Sequence, residues 1–153
     1  MRINFRDLLD QIVAEGGDVS SSGPVPDEKI DDAQKILQVS FPPSYREYLA
    51  EFGALEIDGQ TFAGLTANPA GSLGDVVAFT QYFRAEYHLP PHFVALDFQD
   101  GDYFLCIDSS IQNDTGESPL FLIDPVKLTV KGPKVAATFT DYLAGYLAGY
   151  LAG

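Results

Sequence analysis

Gly53-Ala54-Leu55-Glu56-Ile57-Asp58-Gly59-Gln60-Thr61-Phe62 is the stretch where the chain changes character. Leu55–Ile57 and Gln60–Phe62 flank Asp58-Gly59, a pair that tolerates the positive φ of a two-residue turn, so a tight β-hairpin is expected. Upstream the pattern is helical. Phe5, Leu8, Leu9, Ile12 and Val13 recur at i, i+3, i+4, i+7 and i+8, with Asn4 placed as N-cap and Gly16-Gly17 as the stop. A Ser/Gly/Pro-rich connector runs from Asp18 to Pro26. A second helix beginning near Pro26-Asp27 then sets Ile30, Ala33, Ile36 and Leu37 on one face. Pro42-Pro43 suits the first turn of a third helix, carrying Tyr45, Tyr48, Leu49 and Phe52 and closed by Gly53.

Downstream of the hairpin, turns alternate with short apolar runs. A Gly/Pro-rich loop, Gly64 to Gly74, leads to a helix capped by Asp75 and bearing Val76, Val77, Phe79, Tyr82, Phe83 and Tyr87. Pro90-Pro91 cannot continue it. Phe93 to Phe98 and Asp102 to Asp108 read as strands about a second turn, Asp100-Gly101. Leu120 to Ile123 is a further strand, and Leu128 to Val130 another, followed by Gly132-Pro133. Strands joined by short turns pair antiparallel. The expected class is therefore α+β, a single domain with N-terminal short helices and a C-terminal helix packed on an antiparallel sheet.

That last helix, capped by Thr138, runs into a threefold repeat: Tyr142-Leu143-Ala144-Gly145, Tyr146 to Gly149 and Tyr150 to Gly153. A period of four drifts against 3.6 residues per turn, and each internal Gly costs about 1 kcal/mol relative to Ala. The expectation is that the first turn packs on the sheet and the remainder is a slipped duplication or fraying end. The competing reading is an aromatic tail that docks a partner.

The 153 residues suit one domain, and 11 Phe with 8 Tyr supply a substantial core. Lys+Arg number 9 against 22 Asp+Glu, a formal net charge of −13. Such acidity argues against nucleic acid or an anionic membrane as partner, since both must be met by Lys and Arg. The single cysteine, Cys106, permits no internal disulfide, and Arg6, Asp7, Asp10 and Gln11 interrupt any leader-like apolar run. A cytoplasmic protein is expected.

Candidate chemistry is sparse. His88 and His92 have the spacing of two ligands on a helix, but Leu89-Pro90-Pro91 between them is not helical, and they read as loop histidines. Asp97, Asp100, Asp102 and Asp108 offer carboxylates to a hard cation without the ligand order or closing Glu of an EF-hand. Gly71-Ser72-Leu73-Gly74 is not a nucleophile elbow, and Cys106 sits in an apolar strand as a small buried hydrophobe would. No phosphate-binding loop or dinucleotide fingerprint occurs, so no catalytic residue, cofactor or metal site is assigned.

The charge is uneven. Residues 54–130 hold eleven acids and two bases, Arg84 and Lys127. Between those bases lie Asp97, Asp100, Asp102, Asp108, Asp114, Glu117 and Asp124. A solvated face that confers solubility would account for this. The sharper reading is a field that steers a cationic protein onto these seven residues.

Ile30-Asp31-Asp32-Ala33-Gln34-Lys35-Ile36-Leu37, then Phe41-Pro42-Pro43-Ser44-Tyr45-Arg46-Glu47-Tyr48-Leu49 and Phe52-Gly53, resembles the opening of the SUKH superfamily. Gly101-Asp102-Tyr103 to Ile107-Asp108, Ser118-Pro119-Leu120 and Ala137-Thr138-Phe139-Thr140-Asp141-Tyr142-Leu143 are similar to its later blocks. The resemblance covers residues 30–143, leaving 144–153 as a repeat tail. It implies helices packed on an antiparallel sheet, no shared catalytic residues, and a role among bacterial toxin-immunity proteins and fungal cell-wall-assembly regulators. The expected function is an immunity protein that binds a basic toxin domain, a nuclease among the candidates, through the acidic surface. A scaffold or regulatory domain, or a small metal-dependent enzyme, are the alternatives.

Overall fold

A computed structural model describes residues 4–66, 74–99 and 102–153. Most of the loop expected before Asp75, including Gly71-Ser72-Leu73, and the Asp100-Gly101 turn lie outside the described residues.

Helix α1, Phe5–Ala14, starts where Asn4 accepts the Asp7 N–H at 3.3 Å and buries Leu9 and Ile12. Gly16 ends it at φ 94°, a conformation that suits glycine. The Ser-rich connector is more than a linker: Val19–Ser21 form strand β1, paired antiparallel with β2, Leu55–Ile57. Three residues, two of them serine, carry no readable period, and what holds them is remote. Asp58 Oδ1 accepts the Asp18 N–H at 2.7 Å, and Ser21 donates to the Phe52 carbonyl at 2.8 Å.

Helix α2, Asp27–Leu37, buries Ile30, Ala33 and Leu37 as expected, whereas Ile36 is 55% exposed and lies off that face. Helix α3, Pro43–Phe52, buries Tyr45, Tyr48, Leu49 and Phe52. Its tyrosines reach strand β3, Gln60–Phe62, which completes the sheet β1-β2-β3. Tyr45 donates to the Ala63 carbonyl at 2.8 Å; Tyr48 donates to the Phe62 carbonyl at 2.5 Å and accepts the Leu55 N–H at 2.8 Å. Asp58 and Gly59 turn the hairpin with φ of 48° and 85°.

After helix α4, Val76–Tyr87, capped by Asp75, a second antiparallel sheet follows. It comprises β4, Phe93–Gln99; β5, Tyr103–Asp108; β6, Leu120–Ile123; and β7, Val130–Ala136, in that order. Both faces of β4 and β5 are covered. Val94, Leu96, Leu105 and Ile107 join the main core beneath α1, α2, α3 and α5, while Phe93, Ala95, Phe104 and Cys106 pack with Phe83 and Leu89. This is why the two runs read as unbroken apolar segments without alternation. Strand β7 continues past Gly132-Pro133, where a stop was expected. It is an exposed edge whose register slips between Leu120 and Leu122, and an edge strand can carry a proline that a central strand could not.

Helix α5, Phe139–Ala152, corrects the expectation for the repeat. Thr138 caps it as expected, but the helix does not fray after its first turn: Leu143 and Leu147 are fully buried. Tyr146 meets Phe62 edge-on at 4.9 Å, and the Tyr150 hydroxyl donates to Asp58. Four residues advance about 400° around a helix, so three repeats drift only about 80°, inside a typical apolar face. Tyr and Leu therefore stay on the protein side.

Candidate protein-interaction surface

The four-stranded sheet separates six of the seven acidic positions. Gln99 pairs with Tyr103, Phe104 with Ile123 and Ile123 with Val130, so Asp102 and Asp124 belong to one end, with Asp97, opposite Leu105, between it and the middle of the sheet. Phe93 pairs with Asp108 and Ile107 with Leu120, so Asp108 and the loop holding Asp114 and Glu117 belong to the other. Five residues of β5 separate the ends, about 17 Å. Asp100 lies outside the described residues. Asp108 is thus remote from Asp102, so the four carboxylates considered for a cation do not all meet. Among the described residues no group of three His, Cys, Asp or Glu is placed to hold a metal ion.

Toward the first end, Asp97 sits half-buried at a register break in β4 and accepts the Phe98 N–H at 2.9 Å. Burial, and then the Asp97 charge, push the Tyr142 hydroxyl up to about 12. Asp124 closes the turn into β7, accepting N–H groups from Lys127 at 2.9 Å and Val126 at 2.8 Å. Those bonds hold its carboxyl below the usual range, with help from the charges of Lys127 and Lys131. In space the base-free interval therefore borders a hairpin bearing Lys127, Lys131 and Lys134, all exposed. Asp102 is exposed, with no hydrogen bond or ion pair to another described residue.

At the second end, Asp108 is 6% exposed and spends its Oδ1 locally, accepting Ser110 N–H at 3.0 Å and Ser110 O–H at 2.6 Å; His92 Nε2 lies 4.0 Å from it. His88, with φ 59°, ends α4, and His92 lies in the following loop, so the two do not share a helical face. Asn113 knots the next loop, its Oδ1 accepting from Thr115 N–H, Thr115 O–H and Glu117 N–H. Asp114, inside that knot, is exposed and makes no hydrogen bond or ion pair to another described residue.

Glu117 has a different task. Helix α3 begins at Pro43 after Pro42, which offers no capping side chain. Glu117, 73 residues away, supplies the cap: Oε2 accepts the Ser44 N–H at 2.9 Å and Oε1 the Ser44 O–H at 2.6 Å. A carboxylate there satisfies an otherwise orphan N–H and faces the positive end of the helix dipole. The one clue in the sequence is the Pro-Pro start, which leaves that N–H without a local partner.

Cys106 is fully buried, and desolvation, then Asp108, push its thiol up, which leaves it protonated and inert. No helix among the described residues is long and apolar enough to cross a membrane.

Comparison with known proteins agrees with this architecture. The family model described as SUKH_5, SMI1-KNR4 cell-wall, matches residues 5–144, and the chain belongs to that family, within the SUKH superfamily. The match begins earlier than the resemblance at Ile30, taking in α1 and β1. No curated protein matches the chain. Members of the family are generally non-catalytic immunity or regulatory proteins, and membership supports a role in protein–protein interaction.

Proposed function

We propose that this SUKH-family chain acts in the cytoplasm as an immunity protein that binds a basic toxin domain and covers its active site or substrate entrance. A nuclease fits best, because its cationic groove would accept carboxylates in place of phosphates. Beyond family membership, one observation carries the reading: Asp102 and Asp114 lie exposed in loops at the two ends of one sheet, without hydrogen-bond or ion-pair partners among the described residues. Asp97, Asp100, Asp108, Glu117 and Asp124 add to the field, several of them while also holding loops and a helix in place. The surface works by charge and shape, with no bond made or broken.

Co-expression with the toxin encoded beside the gene tests this. Growth should be rescued by the wild type and less well when Asp102 and Asp114 are replaced by Ser. Rescue unaffected by that change would remove the acidic surface from the account. The family description also favours a second reading, a regulatory domain that docks partners without a toxin, which would show as no rescue at all. Heat released on titration with calcium, magnesium or zinc would support a metal-dependent enzyme instead.

A further inference from the structure

The second and third repeats, residues 146–153, lie beyond the family-matched segment 5–144 yet pack on it. Leu147 is fully buried, and Tyr146 and Tyr150 lie against the core's edge. At the far end, the Tyr150 hydroxyl donates to Asp58 Oδ2 while Asp58 Oδ1 accepts the Asp18 N–H. One carboxylate thus ties α5 to the β2–β3 turn and to the segment between α1 and β1. Gly17 leaves the room this needs, since a Cβ there would fall 2.6 Å from the Tyr150 oxygen.

Nothing holds the same turns from outside. Gly145 and Gly149 have no heavy atom within 4 Å of a would-be Cβ, and Ala148 and Ala152 are exposed. Glycine at these positions weakens the helix itself. Good inner contacts combined with a weak helix describe a segment poised to open as a unit. We propose that residues 145–152 are a latch, clasped by Tyr150 on Asp58, whose opening uncovers the apolar surface of α1 and β3. This goes beyond the immunity reading and does not depend on it.

The ionisable groups facing the clasp are Asp58 in the hairpin turn, Asp18 before β1, Glu15 at the end of α1 and Tyr146 on α5. Except for the tyrosine these are acids, so added negative charge at Tyr150 opens the latch. The bond to Asp58 raises the Tyr150 hydroxyl, and that to Tyr150, then that to Asp18, lowers the Asp58 carboxyl. Closure therefore persists between the two titrations and fails as pH falls through that of Asp58 or rises through that of Tyr150.

Residue-resolved hydrogen exchange on the full chain tests the proposal. In the wild type, amides 147–152 should exchange together, measurably protected but faster than those of α3. Tyr150→Phe should speed them about fivefold or more, with the global unfolding midpoint little changed. Gly145→Ala with Gly149→Ala should slow them by roughly 30-fold, because Ala is favoured over Gly about fivefold at each position. Exchange of 147–152 at the rate of α3, no protection at all, or indifference to Tyr150→Phe would each overturn the latch.

Discussion

Replacing Glu117 by Ala removes both acceptors from Ser44 and leaves the first turn of α3 uncapped. Loss of an N-cap side chain costs about 0.5–2 kcal/mol, and hydrogen bonds to a charged group stand at the upper part of the usual range. Ser44 is only 8% exposed, so water replaces the lost bonds poorly, and a cost of about 2 kcal/mol is expected. For a chain of this length that is roughly 4–8 °C in Tm. Glu117→Gln keeps an acceptor but not the charge and should lose about half as much. Asp102→Ser and Asp114→Ser, at exposed positions, should stay within about 0.5 kcal/mol of wild type. Urea and thermal unfolding read these values, and a double-mutant cycle with Ser44→Ala isolates the hydroxyl bond alone, because Ala keeps the backbone N–H that Glu117 caps. A coupling of about 1 kcal/mol is expected for that hydroxyl bond. If Glu117→Ala costs no more than the Asp102 and Asp114 changes, the remote cap is refuted.

Tyr48→Phe strands the buried Phe62 carbonyl and Leu55 N–H and should cost about 2–4 kcal/mol, whereas Tyr45→Phe strands only the Ala63 carbonyl and should cost roughly half that; urea unfolding compares the two. Because the Asp124 carboxyl is lowered in the folded chain, its contribution is present above its unfolded value, about 3.9, and fades as pH falls through its folded value. Asp124→Asn should therefore lower stability near neutrality and converge on wild type as pH falls through the folded value of Asp124, as pH-dependent urea midpoints would show. Cys106, buried with a raised thiol, should react with a disulfide reagent only as fast as the chain unfolds; rapid reaction of the native protein would contradict its burial.

Helices and hairpin were legible wherever the determinant is local. Asn4, Asp75 and Thr138 cap as their positions suggest, and Asp58-Gly59 turns as that pair must. What escaped depends on distant partners. Val19–Ser21 become a strand because Leu55–Ile57 lie alongside, and Gly132-Pro133 stay within β7 because no further strand asks for the missing N–H. The repeat looked too glycine-rich to hold together, yet its Leu and Tyr side face Phe62, Asp58 and α1, contacts invisible in a four-residue pattern. The acidic interval suffered likewise. As a run it suggested one surface, but an antiparallel sheet sends successive loops to opposite ends. Asp108, Glu117 and Asp124 also serve a loop, a helix terminus and a turn, through backbone groups that charge counting does not see.

The central claim is that the exposed acids bind a basic partner. Its most direct test is calorimetric affinity for the toxin domain encoded beside the gene, at low and high salt, for wild type and for the chain with Asp102→Ser and Asp114→Ser. The account predicts binding that weakens as salt rises, with the double variant weaker by roughly five- to tenfold and less sensitive to salt. Absence of binding, or an affinity indifferent to both salt and the two substitutions, would contradict it.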